Sequence, residues 1–215
     1  MSKAGPLATI LSQAPVIPVI QIEDVANAVP LARALLAGGV RVLEVTLRTE
    51  AAFEAIRRIQ AEVPEAIVGA GTVLTPDQLD AVANLEAAFA VSPGATPALL
   101  DAAAGSPVPL LPGTTTASDV MAVLERGYTH MKLFPAEAVG GAALLSSLAA
   151  PLPTARFCPT GGIDQEKAKR YLALPNVVCV GGSWLTPRDA IRQSDWNRIT
   201  ELARTTLSLR EQNPQ

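Results

Sequence analysis

The sequence predicts an α/β fold built on parallel strands, and three patterns predict it. Short apolar runs rich in β-branched residues recur, alanine-rich helical stretches alternate with them, and helix-start signals sit in the short loops between. Eight strands can be read: Val16 to Ile22, Val40 to Leu47, Ile67 to Gly69, Ala87 to Val91, Val108 to Leu111, Thr129 to Leu133, Ala155 to Cys158 and Val177 to Val180. Repeated strand–helix units with short connections imply parallel pairing through right-handed crossovers. Eight such units close into a (β/α)8 barrel, the TIM-barrel architecture. A chain of 215 residues fits one such domain over 1–215, and no linker or low-complexity tract divides it.

The elements can be justified in order. Leu7 to Gln13 reads as a short N-terminal helix leading into the first strand. Thr49 can open a helix from Glu50 to Glu62, in which Phe53, Ile56 and Ile59 recur at helical spacing while Glu54, Arg57 and Arg58 face elsewhere. Thr75-Pro76-Asp77-Gln78 combines a cap hydroxyl, a proline at the first helical position and a glutamine at the third, which is a capping box. Thr96-Pro97 and Thr186-Pro187 repeat the device. Ser194 or Asp195 can cap a terminal helix through about Arg210, with Trp196, Ile199 and Leu202 as its apolar stripe. The alternative fold is an open doubly wound sheet, since one sequence does not disclose strand order. Against it, Gly69-Ala-Gly71 lacks the third glycine of a dinucleotide-binding turn and leads into Thr72, not directly into a helix.

Composition excludes several functions. A net charge of -3 with dispersed basic residues leaves no electrostatic footprint for nucleic acid. No run approaches membrane-spanning length, and Met1 to Pro6 does not lead into an apolar signal core, so the expected setting is the cytoplasm, without a membrane partner. Cys158 and Cys179 fall in strands without metal-ligand spacing and read as small buried hydrophobes.

Against thirteen arginines the chain has four lysines, and one is out of place. Lys3 lies near a terminus, and Lys167 and Lys169 fall in the polar run Asp164 to Arg170, where a solvated helix face explains them. Lys132 stands instead in Tyr128-Thr-His-Met-Lys-Leu-Phe-Pro135, an apolar strand. Desolvation disfavours an ammonium, and a neutral amine in an apolar pocket is a nucleophile for carbonyls. The alternative is a lysine that snorkels from the strand end or pairs with an inward carboxylate.

The second strand is equally unusual, because Leu43, Val45 and Leu47 alternate with Glu44, Thr46 and Arg48. Period two puts each set on its own face. In a barrel the helix-facing side must be apolar, so the polar set points inward, and the second and sixth strands share layers across the barrel. That brings Glu44 and Arg48 toward Lys132, with His130 and Phe134 also inward and Met131 and Leu133 against helices. Lys132 could form an iminium with a ketone. Glu44 could move protons, or serve only as a counter-ion, and Arg48 offers a planar fork for a carboxylate. Together they suggest a 2-keto acid. Paired glycines in Pro159-Thr-Gly-Gly-Ile163 and Gly181-Gly-Ser183 lie at the ends of the last two strands, where barrels bind phosphate. The single histidine, His130, reads as packed core rather than a metal ligand, so no metal and no cofactor are expected.

Glu44-Val-Thr-Leu-Arg-Thr49, Gly69-Ala-Gly-Thr72, Ser92-Pro-Gly94, Lys132-Leu-Phe-Pro-Ala136, Pro159-Thr-Gly-Gly-Ile163 and Gly181-Gly-Ser183, in this order, resemble the bacterial 2-keto-3-deoxy-6-phosphogluconate (KDPG) aldolases, a family that also cleaves 2-keto-4-hydroxyglutarate (KHG). The resemblance runs from about Pro15 to Trp196 and implies a homotrimeric, metal-independent class I aldolase of the Entner–Doudoroff pathway. It implies that Lys132 forms the Schiff base and Glu44 is the general acid/base. Arg48 and Thr72 would hold the pyruvate carboxylate, Pro93, Phe134 and Thr160 would shape the pocket, and Gly161, Gly162 and Ser183 would bind the phosphate. In Pro112 to Ser118 the chain departs from the family, with Ala117 where proline is common, which implies a less rigid helix start. The rival functions are an aldolase for the galactonate epimer, a phosphosugar isomerase or epimerase with no imine, and a keto-acid binding protein without catalysis.

Overall fold

The computed structural model describes residues 4–211, so Lys3 lies outside the described residues. The strands are β1 (Val16–Ile20), β2 (Val42–Thr46), β3 (Ile67–Gly71), β4 (Ala90–Val91), β5 (Leu110–Leu111), β6 (Gly113–Thr114), β7 (His130–Leu133), β8 (Arg156–Pro159) and β9 (Val180–Gly182). The helices are α1 (Ala4–Leu11), α2 (Ala28–Ala37), α3 (Ala52–Glu62), α4 (Pro76–Asn84), α5 (Pro97–Gly105), α6 (Ala117–Glu125), α7 (Gly141–Ala149), α8 (Gln165–Leu172), α9 (Arg188–Arg192) and α10 (Trp196–Glu211). This is an α/β fold whose parallel strands form a curled six-stranded sheet, β5-β4-β3-β2-β1-β9, and a three-stranded sheet, β6-β7-β8. Isolated parallel bridges link Phe157 to Val177 and Thr160 to Gly181.

The predicted elements are present, with shifted ends. The fifth strand, expected as Val108 to Leu111, is broken at Pro112, which has no N–H to offer a ladder. The Pro112 carbonyl still accepts from Lys132 N–H at 2.8 Å, and the Ser92 hydroxyl takes the Gly113 N–H at 3.3 Å in place of a ladder acceptor. The last strand, expected from Val177 to Val180, lies at Val180–Gly182, and the N-terminal helix starts earlier than expected, at Ala4. Helix α3 begins at Ala52 without a side-chain cap, because the Thr49 hydroxyl donates to the Ile22 carbonyl instead. Thr186 does not cap α9, whose N-cap is Pro187; its hydroxyl turns back to Ser183 O at 3.5 Å. Thr75 accepts from Gln78 N–H as expected, but the reciprocal arm reaches Leu74 N–H, one residue early. Thr96 and Asp195 cap α5 and α10. At α6 a complete Thr116/Asp119 box fixes the start, so Ala117 leaves it no looser.

Two apolar layers follow from the alternation. Leu43, Val45, Met131 and Leu133 join the large cluster between strands and helices. On the other strand face Ile17, Val42, Phe89, Val91, Leu111, Cys158 and Cys179 pack with Leu7 and Leu11 of α1, so both cysteines are buried hydrophobes and the N-terminal helix closes one end of the inner layer. Gly69 is required there: a Cβ would sit 2.5 Å from the Phe89 ring. Leu11 is 1% exposed, so Leu11→Ala should cost about 2–5 kcal/mol in urea unfolding followed by circular dichroism. A loss near zero would show that α1 is not part of the cooperative fold.

Candidate active site

Lys132 and Glu44 meet on the strand face that carries the inner layer. Lys132 Nζ donates to Glu44 Oε1 at 3.2 Å, and their side chains are 5% and 4% exposed. Register brings them there: Glu44 pairs with Val19 and Gly69, and Lys132 with Gly113 and Cys158. The carboxylate has room because Gly71 lacks a side chain; a Cβ there would lie 2.2 Å from Oε1. The ammonium stands 5.4 Å from the centre of the Phe134 ring, within cation–π range.

Two residues on along the strands, and so on the same face, Thr46, Phe134 and Thr160 line a cavity of about 390 Å³. Arg48, Gly161, Gly162, Ile163 and Ser183 complete much of its wall. Six of the ten residues singled out in the sequence therefore line this cavity, and Lys132 and Glu44 lie in the layer immediately adjoining it. Arg48 Nε donates to Thr72 Oγ1 at 3.1 Å, so Thr72 acts on the cavity through Arg48 and does not line it. Pro93 also stands off the wall, packed against Gly113, where a Cβ would clash with its backbone at 2.2 Å. Thr72 has φ 61, a conformation that strains a β-branched residue by about 1–3 kcal/mol.

The glycine pair has its own logic. The Gly161 carbonyl accepts from Glu137 N–H at 3.1 Å and the Gly162 carbonyl from Lys167 Nζ at 2.8 Å. A trans peptide sets N–H opposite C=O, so the N–H groups of Gly162 and Ile163 point away from Glu137 and Lys167. Neither N–H has an acceptor among the described residues. Gly161 and Gly162 adopt φ 108 and 75, values that glycine reaches without strain. A pair of successive N–H groups without partners suits an anion.

Sequence reasoning missed several residues of the wall, two of them bonded to each other. Arg188 and Gln21 line the cavity, hydrogen-bonded to each other at 2.9 Å. A lone arginine after a proline gives no sequence signal, because its position depends on how the Ser183 to Pro187 loop turns. His130, read as packed core, is only half-buried, with Nδ1 3.1 Å from the Thr129 hydroxyl and its pKa lowered by burial and then by Arg156. Trp184 packs on the main cluster beside Gly182 and stays off the wall.

Fold and site define a class: a parallel α/β protein with a buried lysine–carboxylate pair beside a cavity that has an arginine and a glycine pair in its wall. The KDPG and KHG aldolase family model matches residues 7–202, and the chain belongs to this family. A KHG/KDPG aldolase of Escherichia coli strain K12 is 55% identical over 199 residues, 93% of each chain. A 2-dehydro-3-deoxy-phosphogluconate aldolase of Pseudoalteromonas atlantica is 53% identical, again over 93% of each. Among solved structures, the KDPG aldolase of Legionella pneumophila with pyruvate captured as a covalent carbinolamine superposes with a TM-score of 0.93 at 46% identity, covering 95% of this chain and 99% of that one. The Zymomonas mobilis enzyme with 3-phosphoglycerate gives 0.91 at 46% identity, covering 96% and 97%.

Thr72→Gly should relieve the strained backbone and release Arg48. Thermal unfolding should show a midpoint no lower than that of the parent, while calorimetry should show 2-keto acid affinity falling ~5-fold. Lower stability with unchanged affinity would sink this account.

Proposed function

We propose that the chain is a class I aldolase that cleaves 2-keto-3-deoxy-6-phosphogluconate reversibly to pyruvate and D-glyceraldehyde 3-phosphate, the Entner–Doudoroff reaction, with side activity on 2-keto-4-hydroxyglutarate. The carrying observation is the buried amine of Lys132, 3.2 Å from the Glu44 carboxylate. Lys132 gives up a proton to Glu44 and attacks the C2 ketone; water leaves and an iminium forms. Glu44, directly or through a water, removes the proton from the C4 hydroxyl, and the C3–C4 bond breaks as its electrons pass into the iminium. Glyceraldehyde 3-phosphate departs. The enamine of pyruvate takes a proton at C3 and water hydrolyses it from Lys132.

The wall divides by chemistry. Arg48, steadied by Thr72, binds the substrate carboxylate through its guanidinium fork. Phe134, Thr160 and the neighbouring Pro93 shape the space for the three-carbon unit, and Gly161, Gly162 and Ser183 receive the phosphate. We read the two sheets as one single-domain (β/α)8 barrel over 1–215, with β5 and β6 as one strand interrupted at Pro112 and the two bridges joining β8 to the β9 segment.

Among the described residues no helix is long and apolar enough to cross a membrane, in keeping with a cytoplasmic enzyme. The chain works as a homotrimer in this reading, and Leu74 and Met121, 51% and 53% exposed, are apolar surface that a neighbouring copy could cover. Sedimentation velocity should give the mass of three chains; a monomer at micromolar concentration would refute it.

A trapping experiment tests the chemistry better than removing Lys132, because deleting one partner of a buried ion pair leaves the other charge uncompensated and can unfold the protein. Borohydride with pyruvate should place the adduct on Lys132 by peptide mapping. A coupled assay should show the phosphogluconate substrate cleaved with a higher specificity constant than the galactonate epimer or hydroxyglutarate. No adduct at Lys132 rules the aldolase out.

A further inference from the structure

The polar run Asp164 to Arg170 reads in the sequence as a solvated helix face, but Lys167 is not spent on solvent. Its Nζ donates to the Gly162 carbonyl at 2.8 Å and stands 3.2 Å from Glu137 Oε2, with about a third of each side chain exposed. The other Glu137 oxygen accepts from the hydroxyl of Tyr171, a side chain buried to 1% exposure. Glu137 also fixes the neighbouring peptide, since its N–H donates to the Gly161 carbonyl. The chain passes this cluster at Gly141, with φ 58, where a Cβ would lie 2.8 Å from the Tyr171 hydroxyl. Hydrogen bonding to Tyr171 holds the Glu137 carboxyl below its ordinary range, so it stays ionised at neutral pH as a partner for Lys167.

We infer that Lys167 is a positioning residue for the phosphate end of the substrate, anchored through Glu137 to Tyr171. By clamping the Gly162 carbonyl it turns the Ile163 N–H toward the cavity, while Glu137 does the same for the Gly162 N–H. Without the clamp the Gly162 ψ angle is free to rotate, because glycine tolerates a wide range of backbone angles, and the Ile163 N–H loses its aim. A rotated peptide carries that N–H out of line with the phosphate and weakens the donor, even though Ile163, as a β-branched residue, bars full inversion. Lys167 touches no substrate itself, and its effect falls on phosphorylated substrates alone.

This inference rests on the phosphate reading proposed above, and the test separates the two. For the parent protein, KM and kcat are measured on the phosphogluconate substrate and on hydroxyglutarate, together with the inhibition constant of inorganic phosphate against hydroxyglutarate cleavage. Parent cleavage of both substrates establishes the function before any variant is judged. Lys167→Met should then raise KM for the phosphorylated substrate and the phosphate inhibition constant ~3- to 10-fold, with kcat and KM on hydroxyglutarate within about twofold. Tyr171→Phe should shift the same constants in the same direction by less, and Lys167→Arg should restore most of the loss. Equal losses on both substrates would mark a merely structural role and overturn the inference, as would unchanged phosphate inhibition in a folded Lys167→Met variant.

Discussion

Everything in this site depends on keeping an ammonium and a carboxylate out of water. Lys132 and Glu44 are each buried to about 5% exposure or less, and their attraction must offset a desolvation cost of several kcal/mol per ion. Replacement of such a pair by apolar residues is commonly neutral or stabilising. The pair is therefore poorly explained by stability and well explained by chemistry, since proton transfer needs donor and acceptor within hydrogen-bonding reach. The fold accommodates it by omission: Gly71 leaves the space that the carboxylate fills.

The same strand face separates two kinds of interior. Toward α1 it is apolar, with Leu7, Leu11, Phe89 and both cysteines packed together. Further along the strands, the face changes to Glu44 and Lys132, then Thr46, Phe134 and Thr160. Period-two geometry makes this layering unavoidable once the register is set. A rigid apolar floor beneath a polar layer also restrains the reacting groups, because packed interiors resist the small displacements that would separate them.

Legibility in the sequence followed how local each feature is. Alternation in Glu44 to Arg48 and the misplaced charge at Lys132 are period-two patterns, and they identified the central pair and the face it occupies. Thr96 and Asp195 were readable as caps because capping is decided within four residues. Thr49 failed because a competitor far away in sequence, Ile22 O, captured its hydroxyl, and Thr186 failed because its hydroxyl turned back to Ser183 O, three residues earlier, while Pro187 took the N-cap position. Pro112 divided a strand whose hydrophobic run stops just before it. Arg188 was invisible because its place in the wall depends on a loop turn, and Lys167 was misread because nothing within its own helix reveals Gly162 and Glu137 beside it.

Two parts of the cavity wall offer an anion different partners. After β2, Arg48 brings a full charge, held by a hydroxyl on a strained residue, and its guanidinium fork suits a planar carboxylate. After β8, the available donors are peptide N–H groups, which bring dipoles without net charge and must be aimed to be of use. Aim is the vulnerable property of a Gly-Gly loop, because the residues that let the backbone approach a ligand are also those least able to hold it still. Support from outside the cavity answers that weakness: two consecutive carbonyls are tied down, one by the Glu137 backbone and one by the Lys167 ammonium, and the charged pair is moored to a buried tyrosine. A rigid charge and a braced loop on one wall are thus two different solutions to holding an anion, and the proposed function gives each its own task.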